Sequence, residues 1–283
     1  MAAVTTVVAT RNRWPDLERS LPRHRAPVIL VDNGSQDGTP ERVRREFPHV
    51  EVVALGRNLG AVARNVGVER ARTPLVAFAD DDSWWEPGAL DRAARLFAEH
   101  PRMALLAARL LVGDEESLDP TCAAMARSPL RRAPDLPGPS ILGFLACGAV
   151  VRTSAFLEAG GFDPAVFFFG EEQRLAADLA ALGGGLCYVE SVVAHHHPSA
   201  DRDEGSRRRR QVLSSRNAVL TAVMRRPWRQ VARTVVHEGR RGAAGRKGVA
   251  NAVLRSGMAL RRRRLLPPEV ESDLRQLELS TGP

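Results

Sequence analysis

The apolar run Leu75-Val76-Ala77-Phe78-Ala79 ends directly in three carboxylates, Asp80-Asp81-Asp82. Five apolar residues without polar alternation mark a strand buried on both faces. Such a strand belongs in a layered α/β protein, and its C-terminal tip delivers the acids to the edge where open α/β sheets bind ligands. Adjacent carboxylates repel, so a block of three is hard to keep ionised without a cation. Hard oxygen ligands suit Mg²⁺ or Mn²⁺, and Mg²⁺ is commonly held by one or two carboxylates plus substrate phosphates. A second reading stays open here: a solvated acidic turn capping a helix that starts near Glu86-Pro87.

The upstream sequence repeats the pattern. Val4 to Ala9 is a β-branched run followed by the polar turn Thr10-Arg11-Asn12-Arg13, with helix signals from Trp14-Pro15-Asp16. Val28 to Val31 is a second strand, ending in Asp32-Asn33-Gly34-Ser35. A helix from Pro40 to Glu46, a strand from Val50 to Leu55 and a helix from Gly60 to Ala71 follow. Alternating strands and helices predict βαβ units on a mostly parallel sheet flanked by helices. Right-handed crossovers put the strand tips on one edge, so Asp32 and Asp80 to Asp82 should meet in one crevice.

Charge divides the chain of 283 residues. Residues 1–200 carry a net charge of −4 and residues 201–283 a net charge of +12. The basic excess includes Arg207 to Arg210 and Arg261 to Arg264, and Lys247 is the only lysine among 41 basic residues. The expected organisation is an α/β domain over residues 1–200 and an Arg-rich helical region over 201–283. A basic surface suits anionic lipid or pyrophosphate-linked molecules; no zinc-finger or RNA-binding motif accompanies it, so nucleic acid is not expected as a partner. Cys122, Cys147 and Cys187 have no metal spacing and read as reduced, cytoplasmic thiols. Neither a signal-peptide series nor an apolar stretch of the ~20 residues that a membrane span needs is present. The expected location is the cytoplasm, with a peripheral place at the inner face of the plasma membrane open.

Six segments, in order, carry a resemblance: VVATRNR, VILVDNGSQDGT, LGRNLGAVARNVGVERA, LVAFADDDSWWEPGAL, CGAVVRTSAFLEAGGFDPAVFFFGEEQRL and VVAHHHPS. Together they resemble the family 2 glycosyltransferases of GT-A fold, the bacterial rhamnosyltransferase-like members most, across residues 4 to 199. The resemblance implies that residues 1–200 are a catalytic domain, with a nucleotide-sugar-binding half over 1–100 and an acceptor half over 101–200, and a donor site for a nucleoside-diphosphate sugar, UDP- or dTDP-linked. Thr10, Arg11 and Asn12 would leave the first strand beside the nucleotide. Asp32 would accept from an imide N–H of the base, although Asp-Asn-Gly is also an ordinary turn. Asn58 and Arg64 would lie near the nucleotide. Asp80 would face the ribose, Asp82 would hold the metal of a DXD motif, and Asp81 is expected to point away because strand neighbours alternate faces. His195, and after it His197, would face the leaving diphosphate or the metal; a polar histidine loop is the alternative.

In the resembling enzymes an acidic pair after the aromatic stretch begins a helix, and its second member is the catalytic base. The pair here is Glu171-Glu172, which makes Glu172 the base and Glu171 the runner-up. This chain also has Arg174 and Asp178 where the family pattern has the opposite signs; the pair can still form at i,i+4, and it should bring positive charge next to Glu172. The implied reaction is inverting transfer to an acceptor hydroxyl of a glycan, a lipid-linked glycan or a small molecule, in cell-surface glycan or natural-product glycoside synthesis. Two other classes stay open: a sugar-phosphate nucleotidyltransferase, which would need a Gly-rich loop after the first strand, and a non-catalytic nucleotide-sugar-binding or membrane-associated protein. A short apolar face from Val249 to Leu254 and Met258 to Leu260, between arginine clusters, is expected to lie on anionic lipid.

Overall fold

The computed structural model describes residues 2–198 and 204–280. Strands β1 (Val4–Thr10), β2 (Val28–Asp32), β3 (Glu51–Ala54) and β4 (Leu75–Asp80) form a parallel block in the order β3-β2-β1-β4. The crossovers run through helices α1 (Trp14–Ser20), α2 (Thr39–Glu46) and α3 (Ala63–Arg70). Thr10 pairs with Asp32 and Ala9 with Asp80, so three strand tips share one edge. Alternate side chains feed two apolar layers. Val7, Val31 and Phe78 pack with Phe156 and Phe162; Val8, Leu30 and Ala79 pack with Trp14 and Leu17.

Beyond β4 the sheet becomes mixed. The further elements are β5 (Ser83–Trp85), α4 (Ala89–Glu99), β6 (Met103–Val112), β7 (Ser117–Leu118), α5 (Pro120–Ala126), β8 (Ala149–Arg152), α6 (Thr153–Glu158), α7 (Glu171–Ala181) and β9 (Gly185–His196). The sheet continues from β4 as β8-β6-β9-β5, with β7 beside β6. Strand β8 runs antiparallel to both β4 and β6, whereas β6 and β9 are parallel. The α/β fold with flanking helices is the one expected, with parallel pairing concentrated in its amino-terminal block.

Two boundaries differ from the sequence reading for tertiary reasons. No helix starts at Glu86-Pro87. Ser83–Trp85 pairs with β9 instead, Trp85 Nε1 donates to the Phe78 carbonyl at 3.2 Å, and the helix waits until Ala89. The segment from Gly60 opens as a 3-10 turn, with α3 starting at Ala63. Gly60 has φ +65°, and a Cβ there would sit 2.1 Å from the Phe167 carbonyl oxygen. That carbonyl accepts from the Ala61 N–H at 2.8 Å, so only glycine allows the contact.

The basic region is helical, as expected: α8 (Glu204–Arg225), α9 (Trp228–Arg240), α10 (Gly242–Arg261) and α11 (Pro268–Ser280). The expected boundary at residue 200 lies outside the described residues. These helices share cores with the first two hundred residues. Ala165 and Val166 are buried among Val219, Leu220, Val223 and Met224. Leu130, Leu142 and Ala177 pack with Leu266, Val270 and Leu274. The expected apolar face of α10 is divided: Ala252 and Ala259 are buried, whereas Val253 and Leu254 point outward.

A buried ion network ties the same layers together. Arg174 bonds Asp163 at 3.2 Å and also pairs with Asp178. Asp178 receives Arg225 at 2.6 Å, and Asp163 receives Arg262 at 3.3 Å. The i,i+4 pair therefore forms, but the expected placement of its cation is corrected. Positions 172 and 174 lie about 200° apart around a helix, so Arg174 faces the carboxyl-terminal helices rather than Glu172. Burial and then the Arg225 charge lower the Arg174 pKa to about 10.

Candidate active site

The shared strand edge and the start of α7 enclose a crevice of about 670 Å³. On one wall, Asp81 accepts from Thr10 Oγ1 at 3.0 Å and lies 3.4 Å from Arg13. It does not point away, because the chain turns after Asp80 and strand alternation ends there. Burial, then the charges of Asp82 and Asp80, push the Asp81 carboxyl up to about 7. Asp82 lies 3.3 Å from Arg13 and 3.2 Å from His196 Nε2. Burial opposes its ionisation, but the His196 hydrogen bond and the charges of His196 and Arg13 outweigh it and hold Asp82 below its ordinary pKa. Arg64, nearly buried on α3, donates to Asp80 Oδ1 at 2.5 Å.

The histidines divide by the period of a strand. His196 faces the crevice. His195 and His197, one position either side, turn the other way: their Nδ1 atoms lie 3.2 Å from Glu116 and Asp114 respectively, and both rings pack on Trp84. The geometry therefore moves the expected metal or diphosphate contact from His195 and His197 to His196, two residues beyond the buried Ala194 on the same face of β9. Ligand atoms of Asp80, Cys147 and His196 lie within 4.8 Å of one another. Burial, and then the charges of Asp80 and Asp82, push the Cys147 thiol far up, so it stays neutral. The donors left are carboxylate oxygens and an imidazole, a set that fits Mg²⁺ or Mn²⁺ better than a soft metal.

The nucleotide-side residues have more varied surroundings. Arg11 and Asn58 line the crevice with Thr10. Asn12, at φ +54°, instead ties two loops: its N–H donates to Ser35 Oγ at 2.8 Å and its Oδ1 accepts from the Gln36 N–H at 2.8 Å. Asp32 sits just behind the wall. Its Oδ2 accepts from the Ser35 N–H at 3.0 Å, and its buried Oδ1 has no partner among the described residues. A buried, unfilled acceptor is costly and is suited to a donor arriving with a ligand.

The opposite wall is Phe167-Phe168-Phe169-Gly170 leading into Glu171 and Glu172. Positive φ at Phe169 (71°) and Gly170 (97°) turns the chain so that α7 begins with the two acids. There they face the positive end of the helix dipole. Glu171 is buried, and its Oε2 has no hydrogen-bond partner among the described residues; Glu172 is half-buried. Burial raises the pKa of both carboxyls, and the Glu171 charge raises Glu172 further. Arg64 offsets part of this for both.

Two crevice residues of α8, Arg210 and Leu213, escaped the sequence reading, as did Asn217 of the same helix, which holds the aromatic loop from behind. The Asn217 side-chain amide, almost fully buried, donates to the carbonyls of Phe168 and Phe169, both at 2.7 Å. The Arg210 guanidinium lies 5.3 Å from the Phe169 ring centre, and Leu213 completes the wall. The spacing 210, 213, 217 is one helix face, but nothing local says that this face meets a loop some fifty residues earlier.

Comparison with known proteins agrees with this architecture. Residues 5–160 match the family described as Glycosyl transferase family 2. An N-acetylglucosaminyl-diphospho-decaprenol L-rhamnosyltransferase of Mycobacterium tuberculosis is 31% identical over 248 residues, covering 73% of this chain and 80% of that protein. A pre-mycofactocin glycosyltransferase of the same organism is 32% identical, covering 71% of this chain and 44% of that protein. Among solved structures, the mannosyltransferase PcManGT from Pyrobaculum calidifontis, in complex with GDP-Man and Mn²⁺, matches 98% of this chain and 75% of its own with a TM-score of 0.59 at 20% identity. S. aureus TarS with UDP-GlcNAc matches 96% of this chain and 83% of its own with a TM-score of 0.62 at 14% identity. The shared fold and the matched sequence together make this chain a GT-A glycosyltransferase of family 2, rhamnosyltransferase-like in sequence.

Proposed function

We propose that this protein transfers a sugar, with inversion, from UDP or dTDP to a hydroxyl of an acceptor built at the cytoplasmic face of a membrane. One observation carries the reading: Asp80, Asp82 and His196 line one crevice with the Glu171–Glu172 pair, and Asp82 lies 3.2 Å from His196. Two carboxylate centres with different surroundings suit two different tasks. Asp82 is held ionised beside cations, as a ligand must be. Glu172 has a raised pKa, as a base working near neutral pH requires.

Glu172 takes the proton of the acceptor hydroxyl as its oxygen bonds the anomeric carbon. The bond from that carbon to the diphosphate breaks on the opposite face, and the electron pair leaves with the diphosphate. Asp80, Asp82 and His196 would hold a divalent ion, which when bound would supply Lewis-acid stabilisation of the departing charge. Arg64 keeps Asp80 oriented. Asp32 Oδ1 receives the imide N–H of uracil or thymine, the reason for favouring those nucleotides. The aromatic loop orients the acceptor against Glu172 and keeps water from the anomeric carbon.

Asp82→Ala is expected to abolish the part of UDP or dTDP affinity that depends on Mn²⁺ while the fold survives. Titration calorimetry with and without chelator reads it directly, and metal-enhanced affinity persisting in the variant overturns the ligand assignment. Asn217→Ala removes two hydrogen bonds from the loop before Glu171. Each is worth about 1 kcal/mol net, so turnover should fall roughly 10- to 30-fold with UDP affinity unchanged. An equal loss of UDP binding would make Asn217 a general structural residue instead.

A further inference from the structure

The outward face of α10 is apolar where a solvated helix is polar. Val253 is 64% exposed and Leu254 84%, with Met258, Leu260 and Leu265 also exposed. Ala244, Gly248, Ala252 and Ala259 turn the opposite way and are buried. At 100° per residue, Ala250, Val253, Leu254 and Gly257 fall at the centre of the outward face. Exposed Arg246 and Lys247 begin this face and Arg261 ends it.

Charge says what covers it. From Gly239 to Pro268 the chain has nine cations and no carboxylate. Some are used internally: Arg241 by Glu238, Arg262 by Asp163, and Arg263 by backbone carbonyls and Trp228. Arg246, Lys247 and Arg261 lie on the outward face and have no carboxylate partner among the described residues. A second copy of the chain would bring the same cations against these ones, without acids to balance them. A sheet of anionic headgroups over hydrocarbon satisfies both halves of the pattern.

We propose that α10 lies in the interface of an anionic lipid bilayer, with Val253, Leu254 and Met258 in the acyl boundary and Arg246, Lys247 and Arg261 among the headgroups. No described helix is long and apolar enough to cross the membrane. The face is one helix layer from the crevice. Gly248 packs on Val212 and Ser215 of α8, whose other side carries Arg210, Leu213 and Asn217. Docking therefore holds the acceptor wall about 10 Å from the lipid surface.

The test is flotation of the full chain with vesicles of phosphatidylcholine alone or mixed with phosphatidylglycerol. The unmodified chain should float with the mixed vesicles at low salt and remain with the soluble fraction when only phosphatidylcholine is present. Each interfacial cation is worth about fivefold in binding, so Arg246→Gln with Lys247→Gln should weaken it by roughly 25-fold. Val253→Asp with Leu254→Asp should abolish it. Both pairs are exposed, and an unchanged melting temperature and UDP affinity certify the fold. Equal flotation of either double variant and the unmodified chain overturns the proposal. So does an absence of flotation, or a dimer in solution that Val253→Asp with Leu254→Asp dissolves. None of these outcomes depends on sugar transfer, so the membrane face and the reaction stand or fall separately.

Discussion

Glu172→Gln will bind donor as the unmodified chain does and transfer sugar at least about 10²-fold more slowly, in the range of a general base. The variant keeps the shape of the side chain and removes its basicity. The pH profile separates the two acids further. A base acts when ionised, so activity falls as pH drops through its pKa. Burial and the neighbouring Glu171 charge raise the Glu172 pKa, which places the acid limb of kcat/KM above the ordinary glutamate value of about 4.3. Glu171→Gln removes the neighbouring charge. Its limb should therefore move to lower pH, with a smaller loss of rate. A deeper loss in Glu171→Gln than in Glu172→Gln would reverse the assignment.

Asp178→Ala should destabilise the protein by about 3–5 kcal/mol, the cost of breaking a buried ion pair from one side. Asp178 is the acid between Arg174 and Arg225, both largely buried. Without it, three arginines remain around Asp163 alone. Burial, and after it the Arg225 charge, already lowers the pKa of Arg174. The fall in urea midpoint measures the effect; a change below about 1 kcal/mol would put the network in the class of solvent-screened pairs. Asp178→Asn keeps the volume and one acceptor and should lie between the two.

The parallel block was legible in the sequence because β2 and β4 are buried on both faces and read as apolar runs, and β1 and β3 are rich in β-branched residues. The grouping of strand tips follows from the parallel pairing that alternating strands and helices predict. What failed was what depends on distant partners. Ser83–Trp85 became a strand because β9 was there to pair with it. His196 displaced His195 and His197 because the register of β9, not its composition, decides which imidazole faces the crevice. Arg174 was read through its neighbour in sequence, yet it answers to residues 163, 178 and 225. Asn217 carried no signal at all: an asparagine in the middle of a long helix is ordinary until its loop partner is known.

That clamp gives the chain an order of completion during synthesis. The strand tips that gather Thr10 and Asp80 to Asp82 come from the first third of the sequence, and amino-terminal units fold first as a chain emerges. The loop before Glu171 lacks its clamp until residue 217 has left the ribosome, and α7 lacks Arg225 for a little longer. A nascent chain can thus make the strands that end in Thr10 and Asp80 well before it can fix the loop that leads into Glu171.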